Sequence, residues 1–146
     1  MSDELDTRYL ETLLGYNTRR AALTIIGRFM DNMAVYQLRP VDFSVLSLIG
    51  HNPGITSRQL CSALNILPPN LVGLLKGIEK RQLISRSPHP TDGRAMGLAL
   101  TAKGKALMQE AEATALESDL SAASALSPGE INTLIGLLQK IYLAPT

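Results

Sequence analysis

Residues 68–100 read PPNLVGLLKGIEKRQLISRSPHPTDGRAMGLAL. Pro68 and Pro69 suit the start of a helix, where first-turn N–H groups have no intrahelical partner and proline lacks that group anyway. Leu71, Leu74, Leu75 and Ile78 then recur at helical spacing, so the stretch predicts a helix over residues 68–81. One side of that helix is apolar. Pro69, Gly73, Lys76 and Lys80 fall opposite, with Asn70 and Gly77 at the margins. Leu83 and Ile84 begin a strand, Leu98 and Leu100 alternate on a second, and Asp92-Gly93 lies in the loop between. A helix is thus followed directly by a hairpin that carries Arg94 at its tip.

Upstream, Thr56 and Gln59 have capping-box spacing at the start of a short helix, SRQLCSALN. Two short helices joined by a brief turn, the second flanked by basic residues, make a helix-turn-helix. The hairpin adds a wing. Earlier still, Pro40 is expected to stop a long first helix and Asp42 to cap a second, DFSVLSLIG, which ends at HNPG. The first helix is expected from about Asp6 to Gln37, broken near Gly15, with Leu10, Leu13, Leu14, Ala22, Ile25, Ile26, Phe29, Met30 and Met33 at helical spacing. Downstream, Thr101 caps a helix that runs through Leu107 and Leu116 towards Leu120. Ser127-Pro128-Gly129-Glu130 is a capping box that opens a last helix striped with Ile131, Leu134, Ile135, Leu138, Ile141 and Tyr142. Both terminal stripes are too wide for the small core between them and require a partner.

The chain has 146 residues, enough for one domain with a hydrophobic core. Apolar residues make up 45% and charged residues 18%, a globular composition. No apolar run approaches the ~20 residues of a membrane span, and the N-terminal MSDELDTRYL is acidic where a secretory signal is basic. The expected compartment is the cytoplasm, with no membrane partner. Cys61 is the single cysteine and reads as a small core residue. His51 and His89 have no acidic side chain at ligand spacing, so no metal and no cofactor are expected. An enzyme needs converging acids, bases or nucleophiles, and the basic centre offers only Glu79, Asp92 and scattered serines.

The net charge of +1 conceals a polar distribution. Between Gly50 and Lys105 stand eight basic and two acidic side chains, a balance of +6, while the flanks carry −5. A basic middle between acidic ends is the footprint of a nucleic-acid-binding module. An α-helix fits the major groove, where an amide such as Asn70 pairs with adenine. Lys76 and Lys80 suit phosphates, which give affinity without sequence information. Arg94 on the wing suits an A·T-rich minor groove, whose potential is more negative, and Asp92 is expected to orient an arginine by carboxylate–guanidinium pairing. The DNA-facing set is Thr56, Ser57, Arg58, Pro69, Asn70, Gly73, Lys76, Lys80, Arg86, Asp92 and Arg94. The alternative is a helical interaction protein on the same scaffold with weak or lost DNA binding, which the glycines at 73 and 77 would suit.

Taken together, Pro53-Gly54-Ile55-Thr56, Leu60, Leu64, Ile78-Glu79, Leu83-Ile84, the tip Asp92-Gly93-Arg94 and Leu100-Thr101-Ala102-Lys103-Gly104 resemble the DNA-binding core of the MarR family of bacterial transcriptional regulators. The detailed resemblance covers roughly residues 40–110. Leu14-Gly15-Tyr16 with Arg19-Arg20-Ala21 is similar to the first helix of many members. The resemblance implies a mainly α fold with a small β-hairpin, a single domain over residues 1–146. Residues 41–104 would form the winged helix-turn-helix, and residues 1–38 and 106–146 interlocking dimerisation helices. It further implies a homodimer on a pseudo-palindromic operator in double-stranded DNA, most often as a repressor released by a small anionic aromatic effector. Tyr16, Arg19 and Arg20 on the first helix, with Phe43 on the second, offer ring and cation to such a ligand. The sequence departs from the family at Gly73 and Gly77, where larger polar side chains are usual, and at Gln82, where glycine is usual. It also lacks the N-terminal reactive cysteine of redox-sensing members; Cys61 does not match it.

Overall fold

A computed structural model describes residues 4–143. A 3-10 turn at Leu10–Thr12 precedes α1 (Leu14–Met33), and another follows it at Ala34–Tyr36. Then come α2 (Pro40–His51), α3 (Ser57–Leu64), α4 (Pro68–Lys80), β1 (Ile84–Pro88), β2 (Met96–Leu100), α5 (Ala102–Ala122) and α6 (Pro128–Tyr142). This is the mainly helical fold with one antiparallel hairpin that the sequence predicts. No helix among the described residues is long and apolar enough to cross a membrane. The chain divides into two compact units, one of Phe29–Leu116 and one of the segments up to Arg28 and from Glu117 onward.

Three helix boundaries differ from expectation. The first helical segment opens with the 3-10 turn at Leu10–Thr12 and not at about Asp6, while its break near Gly15 falls at Leu13, extended at φ −93°, ψ 131°. The Asn17 amide fixes it there by donating to the carbonyls of Glu11 and Leu13, both at 2.8 Å. The same segment leaves α-helical geometry at Met33, short of Gln37. Gln37 itself is left-handed at φ 55°, and the Leu38 N–H reaches back to the Met33 carbonyl at 3.4 Å. Asp42 is not the cap of α2 but its third residue. Pro40 occupies the first turn, and the Asp42 carboxylate accepts the Arg39 backbone N–H at 3.0 Å.

In the Phe29–Leu116 unit the core is a continuous apolar cluster. Met33, Val45, Leu46, Ile49, Leu60, Leu71, Leu75, Leu83 and Leu98 are its largest fully buried members. Leu71, Leu75 and Ile78 are the buried side of α4, as their spacing predicts. Cys61 packs against this cluster half-buried. The hairpin pairs Ile84 with Leu100 and Pro88 with Met96, and Ile55 adds a bridge to Leu98 on the far edge of β2. That bridge needs two glycines. Gly54 has φ +92°, and a Cβ on Gly97 would stand 3.0 Å from the Gly54 carbonyl oxygen. The wing is thereby anchored to the residues that lead into α3.

The other unit leaves much apolar surface uncovered. α6 buries none of its residues; Ile135 is 47% and Ile141 59% exposed. Its capping box forms as predicted, with Ser127 accepting from the Glu130 N–H at 3.2 Å and Glu130 from the Ser127 N–H at 2.9 Å. Within this unit the Arg28 guanidinium donates to Ser121 Oγ at 2.8 Å.

Candidate nucleic-acid interface

The interface is built on a reciprocal cap. Thr56 Oγ1 accepts the Gln59 N–H at 3.2 Å, and Gln59 Oε1 accepts the Thr56 N–H at 3.0 Å, so α3 starts at a fixed point. Thr56, Ser57 and Arg58 then line a cleft of about 370 Å³ together with Arg86, Asp92, Arg94, Ala95 and Met96. Six of the residues that the sequence selects for DNA are brought together here. Three of them are arginines and one is an acid, so the cleft is suited to an anion.

The wing turn is held by its own side chains. His89 Nδ1 accepts the backbone N–H groups of Thr91 and Asp92, each at 3.2 Å. Asp92 Oδ1 accepts the Arg94 backbone N–H at 3.1 Å. The expected pairing of Asp92 with an arginine guanidinium does not form among the described residues. The wing guanidinium with a carboxylate partner is that of Arg86, and the carboxylate is Glu79 of α4. The reason is geometric. Asp92 sits in the same tight turn as the Arg94 amide, while Glu79 faces β1 from the helix before it.

Pro69, Asn70 and Gly73 border a different groove of about 830 Å³, shared with Arg39, Val41, Asn65, Ile66, Leu67 and Leu74. Lys76 and Lys80 are exposed on α4 and border neither depression. Gly73 and Gly77 are both exposed, and a Cβ at either would meet nothing within 4 Å. Nothing in the chain's own packing requires glycine at either position. Gln82 takes up the conformation that makes glycine usual there. It has φ 62°, with its N–H on the Glu79 carbonyl at 2.8 Å and the Leu83 N–H on Ile78 at 3.3 Å, a Schellman end to α4.

Tyr16, Arg19 and Arg20 lie on α1 in the terminal unit, and Phe43 on α2 in the other. Phe43 meets Phe29 edge-on, with ring centroids 5.1 Å apart. Arg39 and Asp42 form a bidentate pair that is not among the expected site residues, since Pro40 between them reads as a helix stop. The signal for it is the Arg39–Asp42 spacing, which puts a side-chain acceptor over the residue preceding the helix. Among the described residues no group of three or more His, Cys, Asp or Glu is placed to hold a metal.

Comparison with known proteins agrees with this geometry. The sequence pattern of the MarR family matches residues 36–95. The fold is similar to that of the transcriptional repressor CouR bound to a 23-mer DNA duplex, with a TM-score of 0.89 and 34% identity over 96% of this chain and 99% of that one. CouR bound to p-coumaroyl-CoA gives 0.84 and 33%, covering 97% and 100%. A protein assigned as the transcriptional regulator for the hcr operon of Thauera aromatica is 28% identical over 130 residues, 88% of this chain and 78% of that protein.

Proposed function

The chain belongs to the MarR family of transcriptional regulators, and on that premise we propose that it is a homodimeric repressor released from its operator by an aromatic acid or the coenzyme A thioester of one. The observation that carries the DNA half of this reading is the cleft in which Arg58, Arg86 and Arg94 converge beside the start of α3. α4 enters the major groove with Pro69, Asn70, Gly73, Lys76 and Lys80 outward; Asn70 meets a base edge and the lysines meet phosphates. Thr56, Ser57 and Arg58 meet the backbone, and Arg94 takes the wing into the adjoining minor groove. No covalent chemistry is assigned to these residues. A partner of this kind places the protein in the cytoplasm.

The effector half rests on chemistry and on likeness. CouR, similar over its whole length, has been seen with p-coumaroyl-CoA. On α1, Tyr16 supplies aromatic surface and Arg19 and Arg20 supply cations for a carboxylate or for thioester phosphates; on α2, Phe43 supplies a ring of its own. Release requires only that the effector bind the DNA-free form more tightly than the DNA-bound one. A mobility-shift assay on the DNA immediately upstream of the protein's own coding sequence tests both halves. Retardation that p-coumaroyl-CoA or a related aryl thioester abolishes is the expected result. Absence of retardation at moderate salt would favour the helical interaction protein instead.

A further inference from the structure

Arg39 lies outside the basic segment between Gly50 and Lys105, and no role above uses it. Its guanidinium is held at two points by Asp42, Nε to Oδ2 at 2.9 Å and Nη2 to Oδ1 at 3.0 Å. The Asp42 side chain is 11% exposed and that of Arg39 is 70% exposed. A buried carboxylate therefore orients an arginine that itself stands in solvent. Two of the five guanidinium N–H donors are occupied, and three remain for an outside acceptor.

Position gives that acceptor an identity. Arg39 borders the groove that contains Pro69, Asn70 and Gly73 of α4, and an adjacent one of about 220 Å³ that contains Gly77 and Arg81. Asn70 and Glu79 are nine residues apart on α4, which at about 100° per residue puts them on opposite sides of the helix. Glu79 holds Arg86 of the wing; Asn70 shares its groove with Arg39. The outward face of Pro69, Gly73, Lys76 and Lys80 therefore has an arginine on each flank. A helix in the major groove lies between two phosphate strands, and a wing on one flank serves only one of them. The second flank is also net positive, since Arg39 and Arg81 stand against the single carboxylate of Asp42.

We infer that Arg39 is a further phosphate-contact residue, aimed by Asp42 as its positioning residue, and that it grips the DNA strand on the side of α4 away from the wing. This rests on the DNA-binding reading above. It makes the recognition helix clamped from both sides, so that Gly73 lies between two fixed phosphate contacts.

The test uses the full chain, the duplex upstream of its own coding sequence, and an unrelated duplex of equal length, each over a salt series. Arg39→Ala should weaken binding to both duplexes alike, about tenfold at moderate salt, and flatten the slope of log affinity against log salt by about 0.9 per protomer. Arg39→Lys should restore the slope and only part of the affinity, because lysine keeps the charge but not the planar fork. Asp42→Asn raises net charge by one, so a purely electrostatic pair would bind DNA more tightly without the carboxylate; the orienting role requires weaker binding. Melting curves accompany each variant. If Arg39→Ala lowers only the melting temperature and leaves affinity and slope unchanged while Arg94→Ala weakens binding, the inference is overturned and the DNA-binding reading survives. Failure of the unsubstituted protein to bind either duplex overturns both.

Discussion

The carboxylate of Asp92 accepts the backbone N–H of Arg94 at 3.1 Å, and among the described residues no carboxylate pairs with the Arg94 guanidinium. A turn closed on its own amide holds the tip in place, while the arginine side chain stays exposed for an outside acceptor. Arg94→Ala should therefore weaken operator binding by about 1–3 kcal/mol and leave the melting temperature almost unchanged. If the arginine reads a narrow groove, preference for A·T at the flanking positions should fall as well. Fluorescence anisotropy on duplexes that differ only there measures both effects. Undiminished affinity at moderate salt would remove the wing from the interface.

Gly73 and Gly77 allow a cleaner separation of folding from function. Each is exposed in the helix interior with empty space where a Cβ would go. Glycine there costs a helix ~1 kcal/mol relative to alanine. Gly73→Ala and Gly77→Ala should each raise stability by up to about that amount in urea titrations. Gly73 lies on the outward face with Pro69 and Lys80, so its alanine variant should also bind the operator less tightly. A stabilised Gly73→Ala with unchanged operator affinity would mean that close approach to DNA is not the reason for glycine.

Much of this surface was legible because its determinants are local. The capping boxes of Thr56 with Gln59 and Ser127 with Glu130 connect residues three apart, and both form as their spacing predicts. The buried face of α4 follows from the spacing of Leu71, Leu75 and Ile78. What stayed illegible depends on choices between equivalent partners. Arg86 and Arg94 were both available to Asp92, and only the fold shows Arg86 opposite Glu79 across the end of α4. Pro40 reads equally well as a helix stop or as a first-turn residue; the Arg39–Asp42 pair resolves it. Tyr16, Arg19 and Arg20 belong to one compact unit and Phe43 to the other, an assignment that helical periodicity alone does not contain.

The joint between α4, the wing and α5 gives a third prediction. Thr101 donates its backbone N–H to the Leu83 carbonyl at 3.0 Å and its hydroxyl to the Gln82 carbonyl at 2.7 Å, and accepts the Gly104 N–H at 3.0 Å. A Cβ on Gly104 would collide with that same Leu83 carbonyl oxygen. Gly104→Ala should therefore cost about 1–3 kcal/mol of stability through forced displacement. Gln82→Gly should act in the opposite sense, because a non-glycine residue at φ 62° carries strain that glycine does not. Chemical denaturation of the two variants side by side reads both signs, and equal or reversed shifts would refute the account of the joint.

Acid should weaken the start of α2 through Asp42. Burial pushes its carboxyl up, but hydrogen bonds from the Arg39 guanidinium and backbone N–H, with the charge of Arg81 behind them, outweigh this and hold it below its ordinary value. A carboxyl depressed by folding contributes stability that is present above its unfolded pKa, about 3.9. That contribution is lost as pH falls through the folded value. At neutral pH Asp42→Asn should cost about 1 kcal/mol, because the amide keeps one acceptor oxygen and loses the charged bidentate pair with Arg39. The variant should also lose less stability than the parent on going to acid, and parallel acid limbs in the two proteins would sink this assignment.

The last prediction concerns α6. Leu134, Ile135, Leu138 and Ile141 recur at three- and four-residue spacing on a helix that buries nothing. A stripe of this kind is costly to leave in water, at roughly 25 cal/mol for each Å² of apolar surface. A second copy of the chain offers an identical stripe, and two-fold pairing is the commonest way for such surfaces to close on themselves. Light scattering should therefore give a mass near twice 15.8 kDa. Ile135→Glu with Ile141→Glu keeps helix-forming residues but places two charges on the stripe, and should halve the mass. Operator affinity should collapse with it, because two recognition helices on one particle bind both half-sites and a lone one binds a single half-site. A monodisperse monomer at micromolar concentration would overturn the dimer outright. A dimer that survives both substitutions would place its interface on some other part of the chain.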